Sequence, residues 1–156
     1  MSGDVVSRAV RRRMMQAVRR SGTEPELAVR RALARIGVRH RASSSRLPGT
    51  PDVVNLRRSW AIFVHGCFWH GHRNCLKTKG GAGGRIPVSN RSFWTSKIAA
   101  NRERDSRKGS ELRRRGFRVL TIWECQSRDS ARLEKILIRF FTEITGPEPP
   151  RKGTSE

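Results

Sequence analysis

The chain has 156 residues, and its 34 Lys+Arg against 13 Asp+Glu give a formal net charge of +21 at pH 7. That length fits one domain with its own hydrophobic core. The charge favours a polyanionic partner, and nucleic acid is the first candidate. A GC-rich genome would explain the excess of arginine over lysine, but it would not explain the shortage of acidic residues.

Two sequence features bear on where the protein resides. No apolar run approaches the length of a transmembrane helix, and Val5-Val6 is followed by arginines instead of the apolar segment of a signal peptide. We therefore expect a cytoplasmic protein without a membrane partner, associated with the nucleoid when it is on DNA. In a reducing compartment, its three cysteines are expected to bind metal or to be buried thiols.

The first part of the chain predicts a basic segment, one helix and three strands. Residues 1–22 are expected to form a short helix or a basic arm that orders on DNA, and a solvated tail is the alternative. Thr23-Glu24-Pro25-Glu26 predicts a helix start with a capping box, and Gly37 ends that helix. Strands follow at 38–41, 52–56 and 60–64, and the last two are expected to pair antiparallel.

The second part predicts a loop, a long helix, a strand and a final helix. Residues 77–90 form a basic, glycine-rich loop that we expect to be poorly ordered without DNA. The long helix spans 92–115, the strand 117–123, and the final helix starts at Asp129 or Ser130. This order predicts a single α/β domain over 23–145, with a mixed sheet flanked by helices, and a flexible tail over 146–156.

Three cysteines and a histidine have the composition of a structural zinc site. Cys67, His72 and Cys75 are closely spaced after a predicted strand, and Cys125 follows another strand. Three thiolates and one imidazole are a usual closed zinc set, so this Zn²⁺ would be structural. Unrelated buried thiols are the alternative.

Asp52 stands at the head of an apolar strand, directly after a Pro-Gly-Thr-Pro turn. It could cap that turn, or it could bind Mg²⁺, which prefers carboxylate and carbonyl oxygens. We favour the metal. Glu26, which the capping box also explains, is a candidate to help through a bound water. The antiparallel hairpin would bring Asp52 close to His65.

His65 and His70 remain once His72 is assigned to zinc. Two imidazoles beside a carboxylate, in a strongly basic protein, suit phosphodiester hydrolysis. One would activate water, and the other would protonate the leaving oxygen or hold the phosphate. Asp105, on the long helix, is a candidate to orient an imidazole, and a solvated acid among arginines is the alternative.

Two aromatic pairs, Phe68-Trp69 and Phe93-Trp94, do not follow the apolar period of their neighbours. Aromatic side chains flanked by basic residues can wedge between bases, whereas core packing is the alternative. We expect Phe93 in the core and Phe68, Trp69 and Trp94 at the DNA.

These residues together resemble the Vsr family, the very-short-patch repair mismatch endonucleases. The resemblance runs from about Met14 to Arg128 and covers most of the chain. Its motifs are Thr23-x-x-Glu26, Leu47-Pro48-Gly49-x-Pro51-Asp52, Phe63-Val64-His65-Gly66-Cys67-Phe68-Trp69-His70-x-His72, Phe93-Trp94-x-x-Lys97-Ile98, Asn101-x-x-x-Asp105, Gly116-x-Arg118-Val119-Leu120 and Trp123-Glu124-Cys125.

The resemblance implies a restriction-endonuclease-like fold of the variant PD-(D/E)xK type. It also implies a Mg²⁺-dependent nick on the 5′ side of the thymine in T:G mismatches, which arise when 5-methylcytosine deaminates. The expected partner is double-stranded DNA with a T:G mismatch. Mismatch-repair proteins are a candidate partner, and a monomer is expected.

The resemblance also assigns roles to residues by position. Asp52 and the carbonyl of Val64 would hold Mg²⁺, His65 and His70 would act at the phosphate, and Asp105 would support an imidazole. The aromatic trio would enter the base stack, and the Cys/His set would hold structural zinc. Val64 stands where some relatives carry threonine.

Two other functions stay open from the sequence. A zinc-stabilised DNA-binding module without catalysis would need no carboxylate at Asp52. A restriction-type endonuclease would cut both strands of matched duplex.

Overall fold

The computed structural model describes residues 21–42, 44–73, 75, 86 and 90–144. Residues 1–20 of the predicted basic arm, nearly all of the glycine-rich loop and the tail from 146 lie outside these residues, so their predictions stay predictions. The helices are α1 (Glu24–Arg35), α2 (Arg91–Arg114), α3 (Glu124–Ser127) and α4 (Ser130–Ile144). The strands are β1 (Arg41–Ala42), β2 (Val53–Asn55), β3 (Trp60–His65) and β4 (Arg118–Trp123).

The four strands form one mixed sheet in the order β1-β2-β3-β4. β1 and β2 are antiparallel, and β2 and β3 form the predicted antiparallel hairpin with Val53 opposite Ile62. β3 and β4 are parallel, with His65 opposite Trp123 at their ends. A parallel pair needs a crossover connection, and α2 lies within it. The predicted α/β class with a mixed sheet and flanking helices is confirmed.

The central strand β3 is buried on both faces because its side chains alternate between two cores. Trp60 and Ile62 belong to a core with residues of α1 and α4. Ala61 and Phe63 face the other way and pack in a core with Leu112 of α2. A strand covered on both faces has a continuous apolar sequence, which is why this run predicted it correctly.

Helix α1 ends as predicted, at a glycine in the left-handed region. Gly37 has φ +73°. The Val38 N–H donates to the Leu33 carbonyl at 2.9 Å, and the Gly37 N–H donates to the Ala34 carbonyl at 3.1 Å. These two bonds form a Schellman motif. Since Val38 completes this helix end, the first strand is shorter than predicted and spans only Arg41–Ala42.

The predicted capping box at the start of α1 is wrong in its geometry. Thr23 makes no side-chain cap bond. Its hydroxyl instead donates to the Glu26 carboxylate at 2.9 Å, and the Gly22 N–H donates to the same carboxylate at 2.7 Å. Glu26 is therefore fixed at the helix start by the residues that precede the helix.

The remaining elements follow the prediction with one addition. α2, β4 and α4 lie within one residue of their predicted bounds, and Leu133 and Leu137 of α4 are fully buried. The short helix α3, which carries Cys125, was not predicted. None of the helices among the described residues combines the length and apolarity that a bilayer crossing requires.

Candidate active site and metal centre

The predicted site residues converge at one end of the sheet, where β2 begins and β3 and β4 end. The predicted catalytic residues line one wide, open cavity of about 1200 Å³. The hairpin supplies Asp52 and His65, the loop after β3 supplies His70, and α2 supplies Asp105. Glu26 lines the same cavity from the start of α1.

The Asp52 carboxylate reaches across the hairpin to the neighbouring strand. The Val64 N–H donates to Asp52 Oδ2 at 2.7 Å, and the Asp52 N–H donates to the Ile62 carbonyl at 3.0 Å. Burial raises the pKa of Asp52 to about 6; the Val64 N–H opposes this rise, and the charge of Glu26 adds to it. A half-buried carboxylate of this kind is stabilised by a cation placed beside it.

The two imidazoles at the site are stacked on each other. The ring centroids of His65 and His70 lie 4.0 Å apart, and the rings are nearly parallel at 8°. Burial and, to a lesser degree, the neighbouring His70 lower the pKa of His65 to about 4, against the attraction of Asp105. His65 is therefore uncharged at neutral pH.

Asp105 of α2 connects the long helix to the histidine pair. Its Oδ2 is hydrogen-bonded to His70 Nδ1 and lies 4.0 Å from His65 Nδ1. Burial by itself would raise the pKa of Asp105, but the hydrogen bond from His70 and the positive charges nearby lower it overall. With Asp105 ionised, Nδ1 of His70 carries the hydrogen, which leaves Nε2 free for proton exchange.

The loop over residues 66–72 is held against α2 by contacts that the sequence analysis did not assign. The Asn101 side-chain amide donates to the Trp69 carbonyl at 2.8 Å. Gly71 has φ +62°, and a Cβ there would lie 2.6 Å from Cγ2 of Ile98. The helical spacing of Asn101 and Asp105 is the signal that could have identified this contact, because residues four apart share a face.

Glu124 is a second cavity residue to which the sequence motifs assigned no role. It follows β4, lines the cavity, and accepts a hydrogen bond from the Cys67 N–H at 3.4 Å. It therefore links the end of β4 to the start of the loop that carries His70.

The three predicted DNA-contacting aromatic residues form one cluster, with Phe68 and Trp69 from the 66–72 loop and Trp94 from α2. The ring centroids of Phe68 and Trp94 lie 5.3 Å apart, and those of Trp69 and Trp94 lie 5.8 Å apart. Trp94 is 6% exposed, whereas Phe93 is 53% exposed. The expectation of a buried Phe93 is wrong, because the phase of α2 places Trp94, together with Leu112, on its buried face.

The predicted zinc ligands come together from the loop after β3 and from α3. The ligand atoms of Cys67, His72, Cys75 and Cys125 lie within 4.8 Å of one another. Sulfurs bound tetrahedrally at about 2.3 Å from Zn²⁺ would be roughly 3.8 Å apart, so the donor set fits such an ion. Burial raises the pKa of the Cys67 thiol to about 12. The set is a candidate metal centre, since a cation would favour its thiolates.

The chain shares sequence with several known proteins. A family model described as DNA mismatch endonuclease Vsr matches residues 3–77. The type II nicking enzyme V.XorIIP of Xanthomonas oryzae pv. oryzae is 46% identical over 131 residues, which cover 84% of this chain and 91% of the relative. The type II nicking enzyme V.NmeAIP of Neisseria meningitidis is 38% identical over 141 residues, 90% of this chain and 96% of the relative.

A third relative carries the family name. The DNA mismatch endonuclease Vsr of Escherichia coli K12 is 38% identical over 130 residues, 83% of this chain and 79% of the relative. These similarities and the site define the class of the protein, which is that of the DNA endonucleases. Within that class, the chain belongs to the Vsr family. The resemblance identified from the sequence motifs is confirmed.

Proposed function

We propose that the protein is a Mg²⁺-dependent endonuclease that nicks DNA on the 5′ side of the thymine in a T:G mismatch. Such mismatches arise when 5-methylcytosine deaminates, and the nick would start very-short-patch repair. One observation carries the proposal: Asp52 lines the same cavity as a stacked pair of histidines, and Asp105 is bonded to one of them. Membership of the Vsr family supports it.

The donor set on the hairpin fits a magnesium ion. Asp52 offers a half-buried carboxylate with a raised pKa, and a nearby cation would lower that pKa by stabilising the ionised form. The Val64 N–H already points at that carboxylate, and in a strand the N–H and C=O of one residue point to the same side. The Val64 carbonyl would therefore face the same position, with Glu26 acting through a water. When bound, Mg²⁺ would supply electrostatic stabilisation of the charge that develops on the phosphate.

The two histidines would divide the proton transfers. His65 is uncharged at neutral pH because burial lowers its pKa, so it can accept a proton from the attacking water. His70 is oriented by Asp105 through Nδ1, so its Nε2 would protonate the leaving oxygen or hold the phosphate. The stacking of the two rings fixes their relative position.

The aromatic cluster would select the mismatch. A T:G pair is easier to unstack than a correct pair, so side chains that enter the stack discriminate by that difference in cost. We propose that Phe68, Trp69 and Trp94 enter the stack, with Trp94 leaving its largely buried position on binding. The loop that bears Phe68 and Trp69 also bears His70, which couples base insertion to the position of the imidazole.

The remaining parts of the proposal concern structure and context. The Cys/His set would hold a structural Zn²⁺ with no open position, which fastens the 66–72 loop to α3. The hairpin with Asp52 at its head and His65 at its end is consistent with a variant PD-(D/E)xK fold. We further propose that the protein is a cytoplasmic monomer with one endonuclease domain over 23–145. A basic arm that becomes ordered on DNA precedes this domain, and a tail follows it.

A strand-specific cleavage assay tests the function. Matched and T:G duplexes, with each strand labelled separately, are incubated with the full chain in Mg²⁺ or EDTA. We expect one nick, 5′ of the mispaired thymine, that EDTA or Asp52→Asn abolishes. Equal cutting of the matched duplex would instead support the restriction-type enzyme. Binding to T:G duplex with no cut in any divalent metal would support the non-catalytic module.

A further inference from the structure

The cavity extends beyond the carboxylate and histidine cluster to a region that the proposed chemistry does not use. There it is lined by Lys108, Gly109 and Arg113 of α2, by Val119 and Thr121 of β4, and by Thr50 of the turn before β2. This region, the 108–113 pole, contains two cations and two threonine hydroxyls. Its composition differs from that of the opposite part, which contains Asp52 and Asp105.

The long helix presents a continuous face to the whole cavity. Arg102, Asp105, Gly109 and Arg113 are spaced by three, four and four residues, and all four line the cavity. Such spacing places them in one row along the helix. The guanidinium of Arg113 reaches back to Gly109, which at about 1.5 Å per residue lies roughly 6 Å further along α2 than Asp105. The cation is therefore displaced from the histidine pair along the helix axis.

Gly109 makes room for the guanidinium of Arg113. Gly109 is buried, and a Cβ added there would lie 3.3 Å from Nη1 of Arg113. The guanidinium thus lies against bare helix backbone at the cavity wall. A glycine inside a helix costs about 1 kcal/mol relative to alanine, so this residue does not serve helix stability.

The cations of the 108–113 pole differ in how they are paired. Among the described residues, no carboxylate forms an ion pair with Arg113. Lys108 lies 3.4 Å from Glu111, but Glu111 is also bonded to Arg115 at 2.8 Å, so the lysine shares its partner. An unpaired arginine fork beside a shared lysine and two hydroxyls is a donor set that matches a phosphate.

We propose that Lys108 and Arg113 bind a phosphodiester of the cleaved strand that is separate from the scissile one. The inference rests on the proposed function, because it takes the scissile phosphate to lie at Asp52 and His70. At a rise of about 3.4 Å per nucleotide, an offset of roughly 6 Å corresponds to one or two nucleotides. The subsite holds the strand in register while the mismatch is opened.

The test measures binding of the full chain to a T:G duplex in EDTA, so that no cleavage occurs. We expect Arg113→Gln to raise Kd by roughly ten- to a hundredfold, the effect of losing a hydrogen bond to a charged group. The slope of log Kd against log salt should fall in magnitude by about 0.9, the value for one phosphate contact. Arg107→Gln is the matched control, because the substitution removes the same charge from the same helix. Arg107 does not line the cavity.

A set of duplexes with one methylphosphonate each locates the contact. Wild-type binding should weaken when the neutral linkage lies about one or two nucleotides from the scissile position, and Arg113→Gln should show no further loss at that linkage. The subsite is wrong if Arg113→Gln and Arg107→Gln weaken binding equally. It is also wrong if, at every linkage, the loss caused by the methylphosphonate multiplies with the loss caused by Arg113→Gln. If the wild-type protein nicks the T:G duplex and Arg113→Gln binds DNA as tightly as wild type, the subsite is refuted and the proposed function stands. If the wild-type protein does not nick the T:G duplex but Arg113→Gln is insensitive to one neutral linkage, the proposed function is refuted and the phosphate contact stands.

Discussion

The Val64 N–H donates to the Asp52 carboxylate at 2.7 Å, so the acid at the head of one strand is fixed by the backbone of the next. This bond survives replacement of the carboxylate by an amide, since Asn offers the same acceptor oxygen. Charge and geometry at this position can therefore be separated by experiment.

The first prediction concerns Asp52→Asn. Nicking should fall by at least about a thousandfold, because the amide binds a divalent cation poorly. In the absence of Mg²⁺, the free energy of unfolding of the variant at pH 8 should exceed that of the wild type by about 2 kcal/mol. The sign follows from the raised pKa of about 6. The stability that Asp52 contributes is present below the unfolded value of 3.8 and is lost as pH rises through about 6. Urea unfolding of both proteins at pH 8 and pH 4 measures this, and a stability gap that does not shrink at pH 4 would contradict it.

The second prediction concerns the pH dependence of nicking. Activity should rise with pH through about 6, because protons and Mg²⁺ compete for Asp52. His65 contributes no step in this range, since its pKa is lowered to about 4. Single-turnover rates from pH 5 to 8 at low and high Mg²⁺ are the measurement. The midpoint should move to lower pH as Mg²⁺ increases, and a midpoint that ignores Mg²⁺ would argue against Asp52 as ligand.

The third prediction concerns the link between Asp105 and His70. Asp105→Asn should lower the single-turnover rate by about a hundredfold or more, because the amide no longer holds His70 in one tautomer. The affinity for DNA should stay within a factor of about three, since the variant removes no cation. Glu103→Gln, an exposed change on the same helix, serves as the control for charge. Equal rates for the two variants would exclude an orienting role for Asp105.

The fourth prediction concerns the Cys/His centre. Elemental analysis should find about one zinc per chain. Cys125→Ser should lower that ratio and the unfolding temperature, because the buried thiolates then lack a cation to balance them. Asp52→Asn should leave the zinc content unchanged, which separates this centre from the magnesium position. A folded protein with no bound metal would contradict the assignment.

The fifth prediction compares two glycines with positive φ. Gly71→Ala should destabilise the fold by about 2 kcal/mol or more, because its Cβ would lie 2.6 Å from Ile98. Gly37→Ala should cost only about 1 kcal/mol, since nothing lies within 4 Å of its Cβ and only the backbone conformation is strained. Thermal unfolding of both variants measures the difference. Equal losses would show that contact with α2 does not fix the loop.

Much of the fold could be predicted from local signals. The continuous apolar run 61–64 predicted a strand buried on both faces, and Gly37 predicted the end of α1. Local reasoning failed at Val38, whose N–H completes the helix end and cannot start a strand. It also failed at Thr23, whose hydroxyl bonds to Glu26 and leaves the helix N–H groups uncapped.

The candidate site was predictable in its members and less so in its connections. Chemistry and spacing identified the Cys/His set and the histidines, and the predicted hairpin placed Asp52 near His65. Periodicity could not show that Asp105 reaches His70, because their contact depends on how a helix 35 positions away packs against the loop. The burial of Trp94 and exposure of Phe93 likewise depended on the phase of α2, which its sparse apolar residues did not define.

Cys67 and His72 bracket a segment of only six residues that also contains Phe68, Trp69 and His70. If a single ion binds both ends of this segment, loss of the ion or oxidation of the Cys67 thiolate would release the aromatic side chains and His70 together. Mismatch recognition and strand cleavage would then be lost in one event.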